Sequence, residues 1–554
     1  MNLHQPGALG NVPSRSTQVL IAGGGPVGLS AAVELGLRGI SCMVVEPRAK
    51  PTRTRPRAKT LNIRTMEHLR RWGVADKLRS VAPLPTWWSQ DIAFCTSLLG
   101  TEITRFTGVL GLSDEGVSPE LGQQAPQYVL EETLREIVQV LPACTFLVGC
   151  RVTSLDRRED SVEVHVQHED GRSEAVVAEF VIGADGARSV VREAIGARYE
   201  GTHAQRPNLG VMFRSAELMD LLPNPPAVQS WLVNERTPGV MGPVDRAGTW
   251  WLIAFGVDAR ADDLDLQELV EGALGRPVPT EIISTDPWTA RMELADRCRA
   301  GRVFLIGDAA HLNPPFGGHG LNTGIGDAVD LGWKLAASLD GWAGPGLLDS
   351  YEAERRPLQQ RVIAEAARNN SVLSTQFVRD SMDDPGPRGE QTRLMVAEQI
   401  RATKSAEYFS LDLVLGHQYR DSPVLPPDRD HDRRNDDPWA TTAAAGRRIP
   451  HTWVNPGVSS LDLVGPGFTV ITADGADAEA LVRAAADRRV PVTAQGSERL
   501  ATQFGANVII IRPDQVVAWC GNVVPPDANA LLDHVSGWMA ADSCGAPTTT
   551  ARTK

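Results

Sequence analysis

The chain has 554 residues and a formal net charge of −13, a length that permits roughly two to four domains with ample buried core. The acidic balance argues against a nucleic-acid partner, whose phosphates it would repel. No uninterrupted apolar stretch is long enough to span a bilayer, and the seven cysteines are scattered without Cys-x-x-Cys or metal-ligand spacing. The expectation is therefore no membrane, no metal, and free thiols in a reducing cytoplasm.

The arm from Met1 to Ser16 lacks an apolar signal core and reads as a loose tail. Next come Val19-Leu20-Ile21-Ala22, then Gly23-Gly24-Gly25-Pro26-Val27-Gly28, and an apolar run ending at Glu46. This predicts a strand, a tight glycine turn, a helix start and a second strand ending in an acid. Gly23 makes the turn, Gly25 lets backbone approach a pyrophosphate, and Gly28 lets the helix pack on the strand. Glu46 sits where a carboxylate can accept the hydroxyls of an adenosine ribose.

Two later strands also end at an acid beside glycine. Phe180-Val181-Ile182-Gly183-Ala184 runs into Asp185-Gly186, and Val303-Phe304-Leu305-Ile306 runs into Gly307-Asp308. The second leads through Pro314-Pro315-Phe316-Gly317-Gly318-His319-Gly320-Leu321-Asn322 into a helical pattern. A strand-end carboxylate can hold a ribityl or ribose hydroxyl, and a helix N-terminus can stabilise negative charge on a ring or phosphate. Between these motifs, Val211 to Arg214 and Trp250 to Phe255 read as antiparallel strands. Residues 351–405 are helix-rich, with Pro385 and Pro387 marking a loop. The hydrophilic stretch Pro426 to Pro438 reads as a surface loop. Strand-like Gly467 to Ile471, a helix from an Asp477 cap to Arg488, and strand-like Asn507 to Ile511 follow.

With these motifs in this order, the sequence resembles the single-component, FAD-dependent aromatic hydroxylases (class A flavoprotein monooxygenases), including phenol, chlorophenol and polyketide-tailoring hydroxylases. The Arg57-Ala58 and Asn62 to Glu67 stretches, Gln127 and Tyr351 to Pro357 add to the match, which spans roughly residues 18 to 360. The resemblance implies an α/β fold: a Rossmann-like FAD-binding domain of the p-hydroxybenzoate hydroxylase type, an inserted α+β substrate domain and a thioredoxin-like C-terminal domain. The expected boundaries are 17–80, 115–200 and 295–350 for the FAD-binding domain, and 81–114 and 201–294 for the substrate domain. A helical linker over 351–405 and the C-terminal domain over 406–540 complete the chain. That last domain includes Arg512-Pro513-Asp514 and lacks a redox cysteine pair, and Cys520 stands where many members have arginine. It reads as structural, a candidate for subunit contacts in a homo-oligomer.

The same resemblance implies FAD and NAD(P)H as cofactors, with dioxygen and a small aromatic molecule as substrates. FAD would be held by Gly23, Gly25, Gly28, Glu46, Arg57, Gln127, Asp185, Gly186, Gly307, Asp308, Gly320, Leu321 and Asn322. A flavin hydroperoxide would then hydroxylate a phenolic or polycyclic ring. Candidates near the chemistry are Pro315, His319 and Arg291, with the base unassigned; Trp88, Phe213, Trp251 and Trp288 are candidates for the substrate wall. Baeyer–Villiger oxygenation, epoxidation and a non-catalytic FAD-binding role stay open. A flavin-dependent halogenase is disfavoured because its Trp-x-Trp-x-Ile-Pro signature is missing, and a plain NAD-dependent dehydrogenase leaves both later motifs unexplained.

Overall fold

A computed structural model of the chain describes residues 15–55, 59–109, 116–426, 441–474, 476 and 478–539. Arg57 and Asp477, read above as a cofactor contact and a helix cap, lie outside these residues. So do Cys544 and nearly all of the hydrophilic stretch after Pro426.

The first sheet is built around parallel strands in the order Val303–Leu305, Ser173–Gly183, Arg15–Ala22, Cys42–Glu46 and Cys144–Val148. The first strand begins earlier than its apolar run suggests. Arg15 and Ser16, assigned to the tail by their polarity, already pair with Val176 and Val177. Backbone pairing at a sheet end needs no apolar side chain, so composition hides it. An antiparallel hairpin, Cys150–Arg157 and Val162–His168, extends this sheet on the Ser173–Gly183 strand. The parallel register brings Ala22, Gly183, Leu305 and Glu46 to one edge. In an open α/β sheet, that carboxyl edge is where ligands bind.

The second sheet has eight strands, ordered His311–Leu312, Glu281–Ala295, Tyr199–Arg214, Thr249–Phe255, Gly239–Pro243, Gln229–Leu232, Ile92–Cys95 and Glu102–Phe106. Met212 pairs with Trp251 and Phe213 with Trp250. Side chains alternate faces along a strand, so these two neighbouring pairs separate. Phe213 and Trp250 join a core beneath the helix Leu266–Leu274. Met212, Trp231 and Trp251 join a different core on the opposite face.

Read from sequence as a linker, the helical segment is two long elements that pack into the body. Pro345–Ser371 lies against the helix His319–Leu339 and continues through Pro357. Pro387–Tyr408 begins at its own proline, a favoured first helical position, and covers the second sheet; the Phe106 and Tyr408 rings are 4.9 Å apart.

The last sheet is ordered Val492–Gly496, Phe468–Thr472, Val508–Ile511 and Val517–Gly521. Its first pair is parallel and the next two are antiparallel. With helices Glu479–Asp487, Glu498–Phe504 and Ala528–Val535, this is the β-α-β-α-β-β-α order of a thioredoxin-like domain. It shares a core with the long helix: the Phe468 ring lies 6.3 Å from Trp333 and 5.8 Å from Trp342. Among the described residues no helix is long and apolar enough to cross a membrane, and no group of three His, Cys, Asp or Glu could hold a metal ion.

Candidate active site

A cavity of about 1020 Å³ opens at the carboxyl edge of the parallel sheet and runs under the second sheet. Small-molecule sites usually occupy roughly 300–1,000 Å³, so this one has room for more than one ligand. The glycine turn Gly23 to Gly28 forms one end. Gly23 has φ +104°, and a Cβ there would fall 2.3 Å from the Ala184 carbonyl oxygen. At Gly28 a Cβ would meet the Gly23 carbonyl oxygen at 2.0 Å, while at Gly25 it would meet nothing within 4 Å. Gly23 and Gly28 are thus fixed by the protein's own packing. Gly25 borders open cavity, an arrangement that admits a phosphate close to backbone N–H groups.

Glu46 is buried on this wall. Its Oε2 accepts from Gly24 N at 2.7 Å, and its Oε1 accepts from Arg48 N at 2.9 Å and Arg48 Nε at 2.7 Å. A carboxylate offers about four acceptor positions, so three filled ones leave capacity for a hydroxyl. Gln127 also lines the cavity and donates to Glu131 at 2.6 Å. Asp185 faces the cavity yet accepts from Ser189 Oγ at 2.5 Å and Val191 N at 3.2 Å. It helps order the start of the helix Val190–Ala194, and burial pushes its carboxyl upward. Gly186 and Asp308 complete this wall; Asp308 is exposed toward the cavity, whereas the preceding Gly307, with φ +58°, packs on Val27.

The loop Pro314 to Gly320 forms the middle of the cavity, with Pro315, His319, Gly320 and Leu321 on its wall. Gly317 and Gly318 have φ +82° and +67°, so both need the left-handed region that glycine tolerates. Asn322 is placed differently. Its side chain accepts from Asn62 N at 3.0 Å and Thr65 Oγ1 at 2.7 Å, and donates to Thr60 O and Gly318 O. It clamps the loop to the segment before the helix Ile63–Arg71, leaving only its backbone for a ligand. Burial holds the His319 imidazole down to about 4, so it is neutral near pH 7. His311 is a packing residue: it shares a hydrogen bond with Asp327 at 3.1 Å, and Asp327 also accepts from Gly307 N and Arg355.

The far end is the substrate-side wall. Trp251 and Trp288 line it, joined by Trp231 and Met212. Two candidates are corrected here. Phe213 is fully buried on the opposite face of its sheet, one residue out of phase with Met212. Trp88 packs against the same aromatic core as Met212, Trp231 and Trp251 but does not line the cavity. Arg291 does border the cavity, but it pairs with Glu293 and lies over the Tyr199 ring. Two wall residues escaped the sequence reading. Lys59 directly follows the quoted Arg57-Ala58 pair, where a lysine is unremarkable in sequence. Glu407 arrives from the helix taken for a linker, and its partner Lys404 lies 2.7 Å away beneath Trp231.

Residues 16–366 match the family described as FAD binding domain, and residues 442–541 match the family described as aromatic-ring hydroxylase, C-terminal. The chain belongs to the FAD-dependent aromatic-ring hydroxylases. Among relatives of this hydroxylase is tetracenomycin B2 monooxygenase-dioxygenase of Streptomyces olivaceus, 33% identical over 93% of this chain and 97% of that protein. Another is 4-methyl-5-nitrocatechol 5-monooxygenase of a Burkholderia species, 32% identical over 94% and 97%. Among solved structures, RebC soaked with chromopyrrolic acid and carrying 7-carboxy-K252c is 36% identical, with a TM-score of 0.88 over 95% of this chain and 99% of that one. Aklavinone-11 hydroxylase with FAD and aklavinone is 28% identical, with a TM-score of 0.80 over 95% and 99%.

FAD is the cofactor of this hydroxylase, and the open space at Gly25 beside Glu46 and Asp308 fits it. If Asp308 accepts from the ribityl chain, as the family resemblance implies, replacing it with Ala removes a charged acceptor from bound FAD. Such a loss costs about 1.5–3 kcal/mol, roughly a 10- to 150-fold weaker FAD. Flavin fluorescence titration of the apoprotein measures it, and an unchanged affinity would sink the role of Asp308.

Proposed function

We propose that this enzyme hydroxylates a phenolic or polycyclic aromatic substrate, with NAD(P)H as reductant and dioxygen as the oxygen source. The observation carrying this reading is the single cavity that joins the dinucleotide wall to a wall of Trp231, Trp251 and Trp288. Bound FAD supplies electron transfer from the nicotinamide and activation of dioxygen. The protein supplies the rest. In this reading Gly23 to Gly28, Glu46, Gln127 and Asp308 hold the dinucleotide, and backbone amides near Leu321 and Asn322 face its charged end. The loop with Pro315 gives close approach to the ring, and the tryptophans exclude water and orient the substrate. Relatives that act on large fused rings, such as the one crystallised with aklavinone, support a polycyclic substrate. Separate FAD-binding, substrate and C-terminal units with the boundaries expected above are part of this proposal.

Anaerobic stopped-flow mixing tests it. NAD(P)H alone should bleach the flavin slowly, and the true aromatic substrate should speed bleaching by preferring one flavin position over another. With isotopically labelled dioxygen, the product should keep its ring and gain one labelled hydroxyl. Label arriving from water would rule out oxygen transfer, and an expanded lactone ring would replace hydroxylation with Baeyer–Villiger oxygenation.

A further inference from the structure

Lys59 is an anomaly on the substrate-side wall. It is only 7% exposed, yet it forms no ion pair with any described residue. Buried lysines are rare unless paired. Its Nζ donates to two backbone carbonyls, Val228 O at 3.3 Å and Pro243 O at 3.2 Å, and lies 4.4 Å from the centre of the Trp251 ring. Val228 immediately precedes the strand Gln229–Leu232 and Pro243 ends the strand Gly239–Pro243; both strands send residues to the cavity wall, as does Lys59 itself. The next residue, Thr60, sits directly against Gly318: a Cβ on Gly318 would fall 3.1 Å from the Thr60 Cβ. Lys59 therefore stands between the glycine loop and the tryptophan wall.

We propose that Lys59 is the general base of the reaction, taking the proton from a substrate phenol and holding the resulting phenolate by its ammonium. This rests on the reading of the site as an aromatic-ring hydroxylase acting on phenols. The stoichiometry of hydrogen bonds fits the role. A neutral amine has two N–H groups and one lone pair; the two carbonyls match the two N–H groups and leave the lone pair for the substrate. In the step itself the phenol O–H bond breaks, an N–H bond forms on Nζ, and the electron pair stays on the phenolate oxygen. The third N–H of the ammonium then donates to that oxygen. A phenolate is the more electron-rich ring, so the transfer prepares the carbon that receives oxygen.

Burial with no carboxylate partner among the described residues also places the amine where it can exchange protons: its ammonium is held down to about 7. Of the other ionisable groups on the cavity wall, Glu407 is paired with Lys404, Arg291 with Glu293, Arg55 with Asp286 and Glu46 with Arg48, while His319 is held neutral. Asp185 accepts from Ser189 and Val191 N and, with Asp308, Arg151 and Arg188, completes the set of charged groups on the wall. Nothing in the sequence marks this lysine as a base, because an ordinary lysine titrates far above neutrality and only its surroundings lower it.

The test uses the FAD-loaded full chain and two coloured phenols, 4-nitrophenol and alizarin, whose phenolates absorb at longer wavelength. Absorbance against pH gives the ionisation midpoint of the bound phenol. In the wild type that midpoint should lie at least one pH unit below that of the free phenol, a tenfold higher proton concentration at half-ionisation. In Lys59→Met, with an unchanged flavin spectrum, the displacement should vanish, and phenol-stimulated NAD(P)H oxidation should lose its rising limb near pH 7. Should Met at this position unfold the chain, Lys59→Gln serves instead, since its amide keeps two N–H donors while lacking a basic amine. Equal midpoints in wild type and variant would assign Lys59 a merely structural role and overturn the proposal. Failure of the wild type to bind either phenol would overturn the phenol reading beneath it.

Discussion

Gly25→Val is expected to abolish FAD binding while leaving the apoprotein folded. The added side chain enters open cavity and touches no protein atom at its Cβ, so the polypeptide has no reason to move. A pyrophosphate approaching the turn would lose close contact with backbone N–H groups. Each lost charge-assisted hydrogen bond costs about 1.5–3 kcal/mol, and two together weaken FAD on the order of 10²- to 10⁴-fold. Gly28→Val is the opposite case. Its Cβ would lie 2.0 Å from the Gly23 carbonyl, so the helix must leave the strand and folding itself fails. Circular dichroism melts of the two apoproteins beside FAD titration separate the outcomes. A Gly25→Val protein that still binds flavin tightly would remove the glycine turn from the cofactor site.

The second large effect is at the junction with the thioredoxin-like domain. Arg512 is fully buried and donates to Glu354 at 2.7 and 2.9 Å, Asp330 at 2.9 Å and Asp514 at 2.5 Å. Lys334 reaches the same Asp330 and Glu354 at 2.9 and 2.7 Å. Arg512→Met should lower unfolding stability by about 3–5 kcal/mol, because it strands carboxylates that no water reaches. Urea unfolding of the FAD-loaded protein measures the loss. The Arg512→Met, Glu354→Gln double variant should recover part of it, since one stranded charge is gone. The pH dependence follows from Glu354, whose carboxyl Arg512 and Lys334 hold far below its usual range despite burial. A depressed folded value means that its stabilisation is full above the unfolded carboxylate range and is lost as pH falls toward the folded value. Wild type should therefore lose stability on acidification more steeply than the double variant. A single variant as stable as wild type would mean that the cluster contributes nothing to domain docking.

The elements legible in sequence were those in which local pattern and tertiary role coincide. Each of the three motifs joins a β-run to glycine and an acid, the acid of the first being Glu46 at the end of the neighbouring strand, and the parallel register carries all of them to one edge. Phe213 shows where such reading stops. In a strand covered on both faces, Met212 and Phe213 are equally apolar, so composition cannot tell which one faces the cavity; the helix Leu266–Leu274 and the cavity decide it. Arg512 was visible as part of an Arg-Pro-Asp sequence, but its partners lie 158 and 182 positions away along the chain. Pro357 would end a helix on local rules, yet tertiary packing carries Pro345–Ser371 through it. Lys59 became informative only when its surroundings proved to be two carbonyls and an indole.

The helix His319–Leu339 begins on the cavity wall and then presents Asp327 to His311 and Arg355, Asp330 to Arg512, Lys334 to Glu354, and Trp333 to Phe468. One rod thus carries both the loop against the cofactor and the seat of the terminal domain. Swapping that domain between hydroxylases is accordingly not a matter of cutting after residue 441 and joining sequences. A graft keeps the flavin loop in place only if it brings an arginine to meet Asp330 and Glu354 and an aromatic ring to meet Trp333. The natural unit of exchange is the terminal domain together with this helix.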